Sequence, residues 1–349
     1  METAIASLKE RWAEFRTLNP KTRIRDAARE LGVSEAELVA TGLGETAVRL
    51  DGDFREVLKD VPLLGFVMAL TRNDHVVHER KGEYRDVSFT DHVGLVLGED
   101  IALRLFMMHW KFGFAVNENG RRSLQFFDKS GEAVHKIYLV EGKSNEAAYD
   151  ALVEKFRVAE QSDELLTEAY DPKAADLPDA DIDVPAFRAA WLGMKDTHEF
   201  FGMLRKFKVS RTQGLRLAPA DHAYRIAPER VPAVFHAVAE REIPIMVFVA
   251  SRGCIQIHTG EVKKLVTMGP WFNVLDPLFN LHLKEPSIAE AWVVKKPTDD
   301  GMVTALELYD ATGETIALIF GKRKPGKPEI EGWREVVAEK AAPLEAVSA

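Results

Sequence analysis

The sequence predicts an α+β protein that consists of a tandem structural repeat, each half a large antiparallel β-sheet with flanking helices. Three observations lead to this fold class. The same residue pattern occurs twice along the 349 residues, strand-like alternation with short polar turns fills most of each half, and helix-like periodicity is concentrated near the start and the end of each half. Consecutive strands that are joined by short turns favour antiparallel sheets.

The repeat has a long period. Three pairs of segments carry it: residues 61–67 with 243–249, 103–105 with 281–283, and 127–131 with 309–313. The first and third pairs lie 182 residues apart, and the second pair lies 178 apart. The second copy therefore lacks four residues after Val249 and regains four near Lys296 to Gly301. Matches that keep one order with short, localised gaps indicate a duplication.

The duplication divides the chain into three parts. Residues 1–160 are predicted to form the first repeat, 161–184 an acidic linker, and 185–349 the second repeat. The stretch from 159 to 185 contains nine Asp or Glu residues and three prolines, and few large apolar residues follow Leu166. This composition is typical of a linker.

Two hairpins show the strand pattern most clearly. Residues 124–140 alternate around a turn at 128–131, and the counterpart in the second half runs through 303–308, 310–313 and 315–320. Further strands are predicted at 63–70, 86–97 and 103–116, and in the second half at 244–250, 253–258, 262–268 and 289–295. Helices are predicted at 5–19, 21–31, 35–43, 145–157, 187–206, 228–240 and 328–339.

Composition excludes several classes of protein. The net charge of −9, from 46 Lys and Arg against 55 Asp and Glu, disfavours a dedicated nucleic-acid binder. The single cysteine, Cys254, cannot form an intrachain disulfide, a thiolate zinc site or an iron–sulfur cluster. No stretch approaches the roughly 20 apolar residues that a membrane span needs, and the mixed charges at the start do not resemble a secretory signal. We therefore expect a cytoplasmic protein without membrane insertion.

Residues 25–38 resemble a helix-turn-helix. Ser34 and Glu37 have the spacing of a capping box at the start of the second helix. That helix opens with Glu35 and Glu37, which nucleic-acid phosphates would repel, and residues 9–43 carry seven basic and six acidic side chains. The pattern favours a structural helical hairpin, with contact to nucleic acid as the alternative.

Two histidine patterns in the sequence are candidates for metal sites. His75 and His78 have an HxxH spacing, but their polar surroundings predict an exposed loop and there is no third ligand. His198 is predicted to lie in the first turn of a helix that Asp196 or Thr197 caps. The positive end of the helix dipole favours the neutral imidazole that a metal requires. The large residues Phe200, Phe201 and Met203 nearby suit a flat macrocycle, and the alternative is a partly buried histidine without a ligand.

Residues 196–217, DTHEFFGMLRKFKVSRTQGLRL, resemble the bacterial haem-degrading and haem-trafficking proteins of the HemS type, which are also called hemin-degrading factors. Residues 103–116, 288–298 and 320–326 resemble the same proteins. The likeness covers nearly the whole chain, and these proteins are themselves two-fold repeats of about this length.

The resemblance implies a site for non-covalent haem b in a cleft between the two repeats. It implies these roles: His198 as proximal ligand of the iron, Arg104 as distal and catalytic residue, Arg211, Lys296 and Arg323 as partners of the haem propionates, and Phe106 and Phe248 along the apolar faces. The tyrosine that the resemblance leads us to expect just before residues 320–323 is Ala317 here. Arg104 matches His282 in the second copy, and Thr22 roughly matches His198, so we expect one haem per chain.

The resemblance implies oxidative opening of haem, with an external reductant and O₂ or peroxide, to release iron for iron acquisition. Haem is then both the bound group and the substrate. The alternative is a haem carrier that delivers haem to a separate haem oxygenase. A haem importer on the cytoplasmic side and a haem oxygenase are the expected partners. A DNA-associated regulator built on residues 21–43 is the third hypothesis, which the acidic composition disfavours.

Overall fold

The computed structural model describes residues 7–323 and 326–344. Residues 5 and 6 of the predicted first helix, residues 324 and 325 of the 320–326 stretch, and the outer ends of both predicted repeats lie outside this range. The chain forms two compact units. Unit 1 comprises the described residues up to Arg72, together with Glu79–Asp171 and Ser251–Gln256; unit 2 comprises Asn73–His78, Pro172–Ala250 and the described residues from Ile257 onward.

The two halves of the sequence contain the same series of elements. The first half contains α1 (Leu8–Leu18), α2 (Ile24–Leu31), α3 (Glu35–Ala40), β1 (Ala47–Leu50), α4 (Phe54–Asp60), β2 (Gly65–Arg72), β3 (Val76–Glu83), β4 (Ser88–Phe89), β5 (Gly94–Leu97), β6 (Ala102–Leu105), β7 (Phe112–Glu118), β8 (Arg121–Phe127), β9 (Ala133–Ser144) and α5 (Glu146–Phe156). The second half contains α6 (Val184–Leu192), α7 (Glu199–Phe207), α8 (Arg211–Leu217), β10 (Ala223–Ile226), α9 (Val231–Glu240), β11 (Ile245–Ala250), β12 (Cys254–Gly260), β13 (Leu265–Met268), β14 (Trp271–Leu275), β15 (Phe279–Lys284), β16 (Glu290–Thr298), β17 (Gly301–Tyr309), β18 (Thr315–Gly321) and α10 (Glu331–Lys340).

These strands form two antiparallel sheets of nine strands each, with helices at their flanks. In the first half the strand order is β1-β7-β8-β9-β2-β3, with β6-β5-β4 as a separate run. In the second half β10-β16-β17-β18-β11-β12 and β15-β14-β13 repeat this order. The predicted α+β class and the tandem repeat are therefore confirmed.

The insertion that the sequence predicts near Lys296 to Gly301 lies at the tip of a hairpin. Strands β16 and β17 have nine residues each, whereas β7 and β8 have seven. When the hairpins are aligned from their paired ends, Phe112 with Phe127 and Glu290 with Tyr309, Lys296 takes the position of Glu118. The four additional residues extend the second hairpin beyond this point.

The core of unit 2 follows from alternation along its strands. In β11 the side chains of Ile245, Val247 and Val249 are buried, while those between them are half-buried. Phe272 and Trp333 fill the same core in unit 2, and both side chains are fully buried. Burial of side chains this large is the main stabilising contribution to such a core.

Several elements differ from their prediction. The helix predicted over 187–206 is two helices, α6 and α7, because the chain turns at Gly193 and residues 194–198 are not helical. The strand predicted over 86–97 is divided into β4 and β5 by a turn in which the Thr90 N–H donates to the Val93 carbonyl. A 3₁₀ turn interrupts the strand predicted over 103–116. The patterns did not predict the strands β1, β3, β10, β14 and β15 or the helices α4 and α8.

The predicted environments of two charged or polar residues are wrong. His78 lies in strand β3 with a fully buried side chain, and not in an exposed loop. Glu35 is also buried, because its carboxylate pairs with Arg72 and Lys136, so it does not face solvent as a phosphate-repelling group. The predicted helical hairpin itself is confirmed, and Ser34 and Glu37 form its capping box.

Within residues 7–323 and 326–344, no helix combines the length and apolar character that crossing a membrane needs.

Candidate functional site

His198 lies at the N-cap position of α7, one residue before the first turn in which the sequence placed it. Asp196 Oδ1 accepts hydrogen bonds from the main-chain nitrogen of His198 at 2.8 Å and from its Nδ1 at 2.6 Å. The main-chain bond is the largest cause that lowers the pKa of the Asp196 carboxyl. Because a carboxylate only accepts, Nδ1 carries a proton, and the neutral form of the ring therefore has its lone pair on Nε2. The imidazole is 86% exposed.

The aromatic residues beside His198 do not all face solvent. Phe200 and Met203 are buried in the core of unit 2, and Phe200 meets Trp191 edge-on at 5.1 Å between ring centroids. Phe201 is 63% exposed. Only Phe201 of these three therefore remains available to contact a flat ligand.

Two predicted propionate partners, Arg211 and Lys296, share one buried carboxylate. Glu307 Oε1 accepts from Arg211 Nη2 and from Lys296 Nζ, both at 2.8 Å. Its Oε2 accepts from Arg211 Nε at 2.9 Å and from the hydroxyl of Tyr309. Both cations also lie over the ring of Phe200, with Lys296 Nζ 4.0 Å and Arg211 Cζ 5.1 Å from its centroid.

This cluster has strongly shifted proton affinities. Burial alone would raise the pKa of Glu307, but Arg211 and Lys296 together lower it well below its usual range. Burial lowers the pKa of Lys296 to about 8, although Glu307 opposes this shift. At neutral pH the cluster therefore contains two cations and one carboxylate.

Arg323 and Phe248 complete the predicted residues of unit 2. Arg323 is half-buried, and its Nη2 donates to the Thr197 hydroxyl at 3.4 Å, which places it beside the turn of His198. Phe248 is half-buried on β11 and meets Phe320 at 5.1 Å between centroids. Arg323 thus contacts the residue before His198, while Arg211 and Lys296 lie over the ring of Phe200, two positions after it.

Ala317, which stands where the resemblance led us to expect a tyrosine, lies on β18. Its side chain is 2% exposed and belongs to the hydrophobic core of unit 2. A tyrosine at this position would face the core and not the cations. Tyr309, on the neighbouring strand β17, supplies the phenol that contacts Arg211.

In unit 1, Arg104 and Phe106 lie at the end of β6. Arg104 is half-buried, and among the described residues it forms no ion pair; its Nη1 lies 3.5 Å from the Leu103 carbonyl. Phe106 is half-buried, and its main-chain N–H donates to the carbonyl of Gly253 at 2.9 Å. On the neighbouring strand β5, the residue opposite Arg104 is Leu95.

His282 occupies the position on β15 that Arg104 occupies on β6. It pairs with Asn273 of β14, and its Nδ1 bonds to Asn273 Oδ1 at 2.6 Å. Arg104 and His282, which the sequence matched, thus occupy the same strand position in the two copies but have different side chains.

Sequence reasoning did not identify Glu307 or the contact of Tyr309. A signal was present, because Glu307 is the one charged residue in the otherwise apolar or hydroxyl-bearing run from Val303 to Tyr309. A carboxylate in a buried strand position requires a cationic partner. That requirement points to nearby cations but does not say which ones.

Two further observations bear on ligands. Among the described residues there is no group of three or more His, Cys, Asp and Glu side chains that could hold a metal ion. Unit 1 contains a cavity of about 590 Å³ lined by Arg49, Asp53, Phe54, Met108, Trp110 and others, but not by Arg104 or Phe106.

The fold and this site define a two-repeat α+β protein whose second unit contains an exposed histidine held by a carboxylate and two cations that share a buried glutamate. A family model described as "Haemin-degrading HemS.ChuX domain" matches residues 32–156 and again 208–339. The chain belongs to this family, which confirms the resemblance.

Relatives match over almost their whole length. The hemin transport protein HmuS of Yersinia pestis is 38% identical over 343 residues, which cover 95% of this chain and 97% of HmuS. Two structures of PhuS, a heme-binding protein from Pseudomonas aeruginosa, one apo and one holo, have TM-scores of 0.94 at 48% identity, covering 97% of this chain and 99% of theirs. A structure of ChuS, described as an E. coli heme oxygenase, has a TM-score of 0.85 at 35% identity, covering 95% and 98%.

Proposed function

We propose that this protein binds haem b without a covalent bond and degrades it oxidatively in the cytoplasm, with an external reductant, to release iron. The observation that carries the proposal is the exposed His198, whose Nδ1 is held by Asp196 and whose Nε2 is left to bind iron. A carboxylate that fixes the other ring nitrogen is the usual support of a metal-binding histidine.

The donor set of unit 2 fits haem better than a bare metal ion. His198 is a single ligand, and a single imidazole suits an iron that already has four porphyrin nitrogens. Arg211, Lys296 and Arg323 suit the two propionates, since charged donors make the stronger hydrogen bonds to carboxylates. The names of the relatives, which include heme-binding and hemin transport proteins, support the same ligand.

We place Arg104 of unit 1 on the opposite face of the haem, so that the two repeats together form one cleft. Its guanidinium has no lone pair to bind iron, but it can donate hydrogen bonds to an oxygen ligand. Phe106 and Phe248 would then contact the apolar faces of the ring. His282 replaces Arg104 in the second copy, so this proposal expects one haem per chain.

Oxygen activation is the chemistry that the iron porphyrin supplies when it is bound. The part of the protein is to hold the ring through His198, to balance the propionates, and to place Arg104 as a hydrogen-bond donor. The description of ChuS as a heme oxygenase supports degradation. The alternative is a carrier that passes haem to an oxygenase. Two observations support it: the high exposure of His198 and the name of HmuS, a hemin transport protein.

Two experiments test these proposals. Haem titration of wild type, His198→Ala and the control His222→Ala monitors affinity and the Soret band. His222 is a suitable control because Asp221 also binds its Nδ1, at 2.9 Å. We expect one haem per chain, and a large loss only for His198→Ala; an unchanged spectrum in that variant would contradict the ligand assignment.

The second experiment separates enzyme from carrier. The haem complex is incubated in air with ascorbate and with catalase, which removes free peroxide that destroys haem unspecifically. Progressive loss of the Soret band with release of iron supports degradation, and Arg104→Ala should slow it. Intact haem under these conditions would leave the carrier as the function.

A further inference from the structure

Each unit contains a buried glutamate that binds one arginine and one lysine. In unit 2 this glutamate is Glu307, which is fully buried and binds Arg211 and Lys296. In unit 1 it is Glu35, which is 1% exposed and binds Arg72 and Lys136, both at 2.5 Å. Only the cluster of unit 2 contains residues of the proposed haem site.

We propose that Glu307 determines which tetrapyrroles the site accepts, by setting its net charge to match a ring with two carboxylates. This inference rests on the proposed function. Arg211, Lys296 and Arg323 carry three positive charges, and Glu307 cancels one of them. These four side chains thus carry a net charge of +2, which equals the charge needed for two propionates, while the charge of Asp196 is held on His198.

The hydrogen bonds of the cluster leave donors for a ligand. Lys296 has three N–H donors, and one of them binds Glu307. Arg211 has five N–H donors. Two of these bind Glu307, and the Nε–H, which is one of the two, also contacts the Tyr309 hydroxyl. The Arg211 side chain is 25% exposed and can contact a carboxylate directly, whereas Lys296 is 5% exposed and contributes mainly its charge. Glu307 therefore fixes the positions of both cations and leaves some of their N–H donors available for a ligand.

The equivalent positions of the first half lack this arrangement. The residue matching Glu307 is Gln125, the one matching Tyr309 is Phe127, and Glu118 takes the place of Lys296. Arg211 is the first residue of α8 after its N-cap Ser210, and its counterpart after Ser34 in α3 is Glu35. The two clusters therefore use different positions of the repeat, and only the second copy has a carboxylate at the position of Glu307.

The test compares metal-free porphyrins that differ in the number of carboxylates. Protoporphyrin IX has two and coproporphyrin III has four, and neither contains iron that could bind His198. The ratio of their dissociation constants is measured by fluorescence titration at pH 7 for full-length wild type, Glu307→Gln, Lys296→Met and the double variant. The nominal charges summed over positions 211, 296, 307 and 323 are then +2, +3, +1 and +2, and Asp196 is the same in all four proteins.

We expect wild type to prefer protoporphyrin. Glu307→Gln should shift the ratio about tenfold toward coproporphyrin, since one unit charge acts over a short, partly buried distance. Lys296→Met should shift the ratio in the opposite direction. The double variant should have a ratio close to that of wild type. A ratio that stays constant across folded variants would overturn the proposal. So would a double variant whose ratio does not return, because that result indicates packing and not charge.

Glu35→Gln is the matched control. It removes a buried carboxylate with the same kinds of partner, so it should lower stability comparably and leave the porphyrin ratio unchanged. If Glu307→Gln fails to fold, the pair of Lys296→Met and the double variant still decides, because the two differ only in Glu307. A wild type that binds neither haem nor protoporphyrin would contradict the proposed function itself, and haem binding with a constant ratio would contradict only the role of Glu307.

Discussion

Asp196 Oδ1 bonds to His198 twice, through the main-chain nitrogen at 2.8 Å and through Nδ1 at 2.6 Å. The first bond fixes the turn before α7, and the second fixes the orientation and the tautomer of the ring. The same oxygen therefore sets both the backbone and the side chain of the proposed iron ligand.

Asp196→Asn should weaken haem binding about 10- to 100-fold, the usual loss when the partner of a ligating histidine is removed. The amide oxygen can still accept the main-chain bond, but it is a weaker partner for Nδ1–H than a carboxylate. Haem titration measures the effect. Asp221→Asn, which alters the equivalent pair with His222, is the control; an equal loss in both variants would show that the effect is not specific to His198.

Porphyrin binding should weaken as the pH rises above about 8, because burial lowers the pKa of Lys296 to about 8 in the free protein. A bound propionate raises that pKa, so the contribution of Lys296 is complete below pH 8 and is lost progressively above it, at most tenfold per pH unit for one proton. Titration with metal-free protoporphyrin from pH 6.5 to 9.5 avoids ionisation at the iron. Lys296→Met should bind more weakly at pH 7 and lose this dependence; a profile that persists in the variant contradicts the assignment.

His135 should make unit 1 sensitive to acid. It is buried between Thr71, whose Oγ1 lies 2.8 Å from its Nδ1, and Tyr84, whose hydroxyl lies 2.6 Å from its Nε2. Burial lowers its pKa from 6.5 to about 3. Between these values the unfolded chain binds the proton and the folded chain does not, so the free energy of unfolding falls by up to about 1.4 kcal/mol per pH unit on acidification.

His135→Gln should remove that part of the pH dependence, although it is expected to lower stability at pH 7. Urea unfolding of both proteins at pH 7, 6, 5 and 4 gives the difference, which should shrink towards low pH. The exposed His92→Gln serves as control and should follow wild type. Parallel curves for wild type and His135→Gln would contradict the prediction.

Two glycines should respond to alanine with opposite sign. A Cβ at Gly253 would lie 2.9 Å from Val134 Cγ1 and 3.0 Å from Trp110 Nε1, so Gly253→Ala should lower the free energy of unfolding by about 1–3 kcal/mol. A Cβ at Gly202, in the exposed face of α7, would meet no atom within 4 Å. Gly202→Ala should therefore stabilise by roughly 0.5–1 kcal/mol. Thermal denaturation measures both, and a neutral Gly253→Ala would contradict the packing argument.

Local patterns predicted the fold class and the repeat because both are encoded in residues close in sequence. The alternation of 245–250 and the turn at 128–131 are examples, and the gap near Lys296 lies where the longer hairpin is found. The burial of His78 and Glu35 could not be predicted in this way. It depends on Phe279, whose ring lies 5.0 Å from His78, and on Lys136, 101 positions along the chain from Glu35.

The candidate site also contains residues that the sequence indicated and a residue that it did not. The resemblance identified His198 and the cations, whereas the shared carboxylate of Glu307 depends on a register between distant elements. Arg211 of α8 and Glu307 of β17 are 96 positions apart in sequence. The haem-binding roles of all the predicted residues, in both units, stay predictions that the haem experiments test.

The hairpin tip Ser251–Gln256 belongs to unit 1, where the Gly253 carbonyl accepts from both Phe106 N and Trp110 Nε1 and where Cys254 is fully buried. Conversely, Asn73–His78 belongs to unit 2, and Asn73 donates to the Ile316 carbonyl there. A deletion that returned this gene to a single copy would remove six residues from the remaining unit, whichever copy was kept. Each copy thus supplies six residues to the other unit, and a single copy would need substitutes for those residues within its own unit.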